Sequence, residues 1–365
     1  MIPIAQPQLD ETALDRVSNV LESGMLADGP EVREFEREFA QYCETDHAVA
    51  TSNGTTALHA TLEALDIGPG DRVLTTPFSF VATANAIRLA GAEPVFADID
   101  PVTYNLDPEA TRERVTADDD PIDAILVVHL YGLPAEMDAF LDLTAELDVP
   151  LIEDAAQAHG ATYRGNPVGS FGDAACFSFY PTKNMTTAEG GMVVTDRDDV
   201  AAGVRQFINH GRAEGASTYA HDAVGHNFRM TSLAAALGRS QLERLPGFVD
   251  RRRENAAQLT AAIEGTELES PVEPDHVRHA YHQYTVRTRD RDAFQAYLAD
   301  RGIDSAVYYP TCIPNQPAYE NGHESNESFP VAERAAAEVL SIPVHPAVSA
   351  ADIDHITEVT TNYVR

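Results

Sequence analysis

One lysine, Lys183, stands in a chain whose other 24 basic residues are all arginine. A guanidinium keeps its proton at any ordinary pH, whereas an ε-amine can lose it and attack a carbonyl to form a Schiff base. Lys183 lies in Phe177-Ser178-Phe179-Tyr180-Pro181-Thr182-Lys183-Asn184, an apolar run that ends in a turn. Glycines follow in Thr186-Thr187-Ala188-Glu189-Gly190-Gly191, where backbone must pass close to something. Two more segments end apolar runs. Ser52-Asn53-Gly54-Thr55-Thr56-Ala57-Leu58 sets glycine and hydroxyl residues at the start of a helix, where backbone amides can cup a phosphate. Leu151-Ile152-Glu153-Asp154-Ala155-Ala156-Gln157-Ala158-His159-Gly160 carries an acid at the end of an apolar strand, which is costly without a positive partner. A protonated pyridine nitrogen would be one such partner, and keeping that proton makes the ring an electron sink. Taken singly, each segment has a plainer reading: a solvated lysine, a helix cap, a carboxylate facing an arginine.

The elements that must position these residues can be read from spacing. Helical patterns cover Leu14 to Leu21 and Val32 to Tyr42, the second opened by Gly29-Pro30 with acids in its first turn. Apolar runs and helices then alternate: His47 to Thr51, Thr55 to Leu65, Arg72 to Thr76, Val81 to Leu89 and Pro94 to Ala97. Ala124 to His129, Met137 to Leu147, Pro150 to Ile152, Ala174 to Phe179 and Met192 to Thr195 continue the series. Such alternation predicts an α/β fold, a large α/β/α domain with a mainly parallel sheet covered on both faces. Ligands of such sheets sit beyond the carboxyl ends of the strands, where the three segments fall. Composition changes after Leu245-Pro246-Gly247, so the expected division is a large domain over 1–245 and a smaller C-terminal α+β domain over 246–365. In the second we expect a helix from about Phe248 to Ile263, a strand around Tyr281 to Arg287, a helix from Arg291 to Arg301, and closing helices near Val331 and Ala351. The stretch from Pro310 to Phe329, rich in Pro, Asn, Glu and Ser, reads as a long loop.

Composition narrows the partners. With 58 acidic residues against 25 basic ones the formal net charge is −33, a field that repels nucleic acid and anionic membrane surfaces. The acids are scattered along the whole chain, as at Asp118-Asp119-Asp120, which fits a halophilic surface working in salt that screens self-repulsion. Cys43, Cys176 and Cys312 show no paired spacing, so neither a disulfide framework nor a metal site is expected. No run approaches the roughly 20 apolar residues of a membrane span, and the first residues lack the pattern of a secretory signal. The expected location is cytoplasmic.

The three segments, in this order, resemble the sugar aminotransferases of the DegT group, pyridoxal-phosphate enzymes of the aspartate-aminotransferase-like fold type I. The likeness extends to Gly24 to Phe39, Pro77 to Asn85, Gly225 to Thr231 and Ser341 to Pro346. It implies that Lys183 carries the cofactor, pyridoxal 5′-phosphate, while Asp154 pairs with its ring nitrogen and Gln157 approaches its ring hydroxyl. It further implies Phe80 against the ring face, and Gly54, Thr55 and Ser178 around the phosphate. A residue of the partner subunit completes that phosphate site in the group, Asn227 here in preference to Arg229, so a homodimer with a shared active site is implied. The implied substrates are an amino acid donor, L-glutamate in most of the group, and a nucleotide-linked keto sugar. Tyr309 in Tyr308-Tyr309-Pro310-Thr311-Cys312, together with His282 and Arg229, are the candidates for the sugar. Where relatives commonly have a histidine this chain has Pro314-Asn315-Gln316, and His159 could either face the cofactor or be a core residue. The Thr186 to Gly190 stretch looks more like members that aminate C4 than C3. A dehydratase of the same fold would have histidine in place of Lys183, a regulator would have a degenerate site, and a nicotinamide enzyme would show a Gly-x-Gly-x-x-Gly after an early strand.

Overall fold

The computed structural model describes residues 1–117, 120–212, 220–320 and 327–363. Asp118 and Asp119 of the acidic run, and residues 321–326 of the long loop, lie outside the described residues. After α1 (Glu11–Ser23) and α2 (Pro30–Cys43), the chain alternates β1 (His47–Thr51), α3 (Gly54–Ala64), β2 (Arg72–Thr75), α4 (Ala82–Leu89), β3 (Glu93–Phe96), α5 (Pro108–Ala117), β4 (Ala124–Val128), α6 (Met137–Leu147) and β5 (Leu151–Asp154). A short hairpin of β6 (Thr162–Tyr163) and β7 (Asn166–Pro167) leads to β8 (Ala174–Ser178), β9 (Gly191–Thr195), α7 (Asp198–Phe207) and the long α8 (Ser232–Ile263). The central sheet runs β1-β9-β8-β5-β4-β2-β3. β9 pairs antiparallel with both neighbours and the remaining pairs are parallel, the mainly parallel sheet that the alternation predicts.

Period-two alternation gives each strand two greasy faces. Val49, Ala174, Cys176 and Val193 point into a core shared with Ala57 and Leu58 of α3, Ile87 of α4 and Val204 of α7. Their neighbours Ala48, Ala50, Ala175, Phe177 and Val194 point the other way, onto Phe35 and Phe39 of α2 and Leu242 and Leu245 of α8. α2 starts at Pro30, whose fixed φ suits a first helical position, and carries Phe35 and Phe39 one turn apart into ring contacts with Phe177 and Phe179.

A second core gathers Leu259 and Ile263 of α8 with β11 (Tyr284–Arg287), α9 (Arg291–Ala299), β12 (Val339–Ile342) and the closing helix (Ala350–Thr361). β11 and β12 pair antiparallel, and β10 (Val277–Arg278) reaches back to pair with β6. The helix expected from about Phe248 begins at Ser232, where Thr231 Oγ1 accepts from Ala234 N at 3.2 Å, and it continues through Pro246. A proline inside a helix costs about 3 kcal/mol. Here Leu242, Leu245, Phe248, Val249 and Arg252 form a buried stripe across it, and that burial outweighs the local cost. The expected division at 245/246 therefore falls within one helix.

Glu153, beside Asp154 on β5, is fully buried yet charged by design of its surroundings. His129 Nε2 lies 3.0 Å from one oxygen, Gly169 N donates to the same oxygen at 2.9 Å, and Phe171 N and Gly172 N donate to the other at 2.9 Å each. Burial alone would raise its pKa, but His129 and these amides more than offset it, and the carboxyl is held below its ordinary value. Its stabilising contribution is thus present above the ordinary carboxyl range and is lost as pH falls through the lowered value. Glu153→Ala is expected to cost about 3–5 kcal/mol in urea unfolding, because it strands a buried histidine and three amides. A loss below 1 kcal/mol would show that the turn at 169–172 does not depend on it.

Candidate active site

One cavity of about 770 Å³ opens beyond the carboxyl ends of the strands. Gly54, Thr55, Phe80, Asp154, Gln157, Ser178, Lys183, His282 and Tyr309 all line it, so the structure brings together residues that the sequence scatters over 256 positions, from Gly54 to Tyr309. The strands deliver them. β1 ends at Thr51 and hands the chain to the first turn of α3; β5 ends on Asp154; β8 ends on Ser178, five residues before Lys183.

At the cup, Asn53 caps α3 by accepting from Thr56 N at 2.9 Å, while Thr56 Oγ1 accepts from Asn53 N at 3.1 Å. The amides of Gly54 and Thr55 precede any intrahelical acceptor, so they and the positive end of the helix are available to an anion. Gly54 is required by crowding, since a Cβ there would lie 2.8 Å from Ser178 Cβ. Gly191 meets the same limit from the other side, its imaginary Cβ falling 2.4 Å from the Asn53 carbonyl oxygen. Gly54→Ala is expected to weaken cofactor binding by about tenfold to a hundredfold, the effect of 1–3 kcal/mol of overpacking, in an absorbance titration. Unchanged affinity would place the phosphate elsewhere.

Asp154 is buried and accepts from Thr83 Oγ1 at 2.8 Å and from Ala156 N at 3.2 Å. Burial raises its pKa, and those two bonds and the charge of Lys183 only partly bring it back. Burial likewise pushes the Lys183 ammonium down to about 8, against the pull of Asp154. Each group is short of a partner, and the cavity between them has room for one. This donor set fits pyridoxal phosphate: amides for a dianion, a carboxylate for a ring nitrogen, an amine for an aldehyde.

Gln157 is fixed at both ends: its Oε1 accepts from Tyr131 N at 2.8 Å and its Nε2 donates to the Tyr309 hydroxyl at 3.2 Å. Phe80 is 54% exposed at the rim, 6.0 Å from the Tyr309 ring. His282 lines the cavity, and burial together with the charge of Lys183 keeps it neutral, well below its ordinary pKa. It precedes β11, which starts at Tyr284 rather than at Tyr281. His159 is a core residue: it packs on Phe177 and Phe179, does not line the cavity, and burial pushes it down to about 3. Asn227 and Arg229 stay out of this chain's own cavity; Arg229 forms a bridge with Thr51, and its guanidinium donates to Asn209 Oδ1 at 2.6 Å. Pro314, Asn315 and Gln316 do not line it either. Thr83, Tyr131, Tyr180, Glu189 and Gln283 were not singled out in the sequence. Thr83 was within reach, one turn past Phe80 in the Pro77 to Asn85 segment, but nothing local marks it as the partner of Asp154. Among the described residues there is no cluster able to hold a metal and no helix long and apolar enough to cross a membrane.

The DegT/DnrJ/EryC1/StrS aminotransferase family matches residues 7–361. The chain belongs to that family. DegT-family aminotransferases depend on pyridoxal phosphate. The chain is 38% identical, over 98% of its length and 96% of the relative's, to a pleiotropic regulatory protein of Geobacillus stearothermophilus. It is also 38% identical to a UDP-N-acetyl-3-dehydro-α-D-glucosamine 3-aminotransferase of Acidithiobacillus ferrooxidans, covering 96% of this chain and 93% of that one. Among solved structures, S. venezuelae DesV in complex with a ketimine intermediate matches with a TM-score of 0.92 at 36% identity, over 97% of this chain and 95% of that chain. The fold expected from the DegT resemblance is therefore the fold found.

Proposed function

We propose that this DegT-family aminotransferase moves an amino group from L-glutamate to a keto sugar carried on a nucleotide, with pyridoxal phosphate seated at Lys183. The observation that carries the reading is the pairing across one cavity of a depressed amine with an under-compensated carboxylate, beside a helix N-terminus. When bound, pyridoxal phosphate supplies an aldehyde that condenses with amines and a ring that takes up the electron pair of a broken C–H bond. The rest falls to the chain. Gly54, Thr55 and Ser178 hold the phosphate; Asp154 keeps a proton on the ring nitrogen; Phe80 covers the ring face. Lys183, with its pKa near 8, is poised to take a proton from the donor's α-carbon through Nζ, and later to give one to the sugar carbon. Tyr308, Tyr309, His282 and Gln283 wall the cavity and keep water from the reacting atoms.

A homodimer in which Asn227 or Arg229 reaches the partner's phosphate site accounts for side chains that leave their own cavity. The regulator among the relatives does not change this reading, because Asp154, Gln157, Ser178 and Lys183 all line one cavity, where a regulator would be expected to have a degenerate site. A cytoplasmic setting rich in salt accords with the scattered acids. The test is the half-reaction: glutamate should bleach the visible band of the loaded protein, and a nucleotide-linked keto sugar should restore it. Parallel assays with 3-keto and 4-keto sugars decide the carbon that is aminated. A band indifferent to both substrates would sink the proposal.

A further inference from the structure

Two buried hydroxyls on the wall of the main cavity, Ser79 and Thr83, have no part in the proposed reaction. They stand on either side of Phe80, whose carbonyl accepts from Thr83 N at 3.2 Å. Ser79 Oγ lies 3.0 Å from Thr83 Oγ1, which in turn donates to Asp154 Oδ2 at 2.8 Å. A hydroxyl has one proton to give. That of Thr83 goes to the carboxylate, so Ser79 is the donor to Thr83, and both O–H dipoles point toward Asp154. Run the other way, from a protonated Asp154, the chain would end on a Ser79 proton that meets no acceptor among the described residues.

The direction matters because Asp154 has little else to hold its charge. Burial raises its pKa, and the Thr83 hydroxyl is the strongest of the influences that lower it, ahead of Ala156 N at 3.2 Å and the charges of Lys183 and His129. The other titratable groups that feel this carboxylate, Cys176 on β8 and Tyr309, are kept neutral by burial. We propose that Thr83, with Ser79 behind it, is a positioning residue that decides where the proton between Asp154 and the ring nitrogen of the cofactor resides. The inference rests on the proposed seat of pyridoxal phosphate. A carboxylate facing a protonated nitrogen and a carboxylic acid facing a bare one hold the same number of protons, so pH does not choose between them. Their relative basicity does, and a hydrogen bond given to the charged carboxylate favours the first arrangement. Loss of one such bond changes that ratio by about tenfold.

Thr83→Val keeps the shape and removes the donor, whereas Thr83→Ser keeps the donor. In cofactor-free protein carrying carbon-labelled aspartate, the carboxyl resonance that Asp154→Asn deletes should titrate about one pH unit higher in Thr83→Val and at the wild-type pH in Thr83→Ser. In the loaded protein, the nitrogen resonance of ring-labelled pyridoxal phosphate should move toward that of unprotonated pyridine in Thr83→Val and return in Thr83→Ser. Ser79→Ala should move both readings the same way by less. An Asp154 titration that Thr83→Val leaves in place overturns the proposal, as does a ring-nitrogen resonance that ignores the substitution. Should Thr83→Val fail to fold, Ser79→Ala decides by the same two readings. Failure of the proposed function would show separately, as a cofactor that never attaches to Lys183, while the Asp154 titration is read without any cofactor.

Discussion

Lys183→Ala is expected to lower kcat by about 10⁴-fold or more, since in the proposed function it removes both the group that anchors the cofactor and the group that moves the proton. The chain's composition makes this unusually easy to check. Borohydride treatment of the loaded wild type should fix the cofactor to one peptide, the one containing residue 183, because no other ε-amine exists to compete. In the alanine variant the label should vanish while non-covalent binding through Gly54, Thr55 and Ser178 persists at reduced affinity. Turnover within tenfold of wild type, or a label surviving in the variant, would remove Lys183 from the chemistry.

Asp154→Asn should pull activity and stability in opposite directions. The amide keeps the shape, but it cannot hold a proton on the ring nitrogen by charge, and a loss of about 10²–10³-fold in kcat follows. In the cofactor-free protein, however, that carboxylate is a liability, because burial raises its pKa. A raised acid favours the folded state while protonated, and its penalty grows as pH rises through the folded value. Removing the charge should therefore stabilise the cofactor-free protein at neutral pH by on the order of 1 kcal/mol, read from urea midpoints. A variant that loses both activity and stability would mean that Asp154 serves the fold before it serves the cofactor.

Much of this geometry could be foreseen, for identifiable reasons. β4 is a continuous apolar run because both of its faces are covered, and such a run stands out, whereas β5 is equally buried although two of its four residues are acids. Asp154 and Ser178 end strands and Gly54 opens a helix, so their nearness follows from sheet topology once the strands are known. Most of the remainder lacks a local signature. α5 buries only Thr111 and so offers no apolar run, whereas α7 carries one, Val200, Ala201 and Val204 behind two aspartates. The start of α8 was hidden by Pro246, whose local meaning is a break and whose cost is met by packing far along the chain. Tyr131 reveals itself only in three dimensions: its backbone amide holds Gln157, 26 positions away, and its hydroxyl reaches the Tyr308 carbonyl, 177 positions away.

α8 also limits how the molecule can be taken apart. Its leading half is bolted to Phe35 and Phe39, its trailing half to the core around Tyr284, and 32 residues of unbroken helix make a strut about 48 Å long between them. Severing the backbone at Leu245 would leave two stumps with raw apolar flanks, so neither half can be inherited, swapped or produced as a free-standing module at that position.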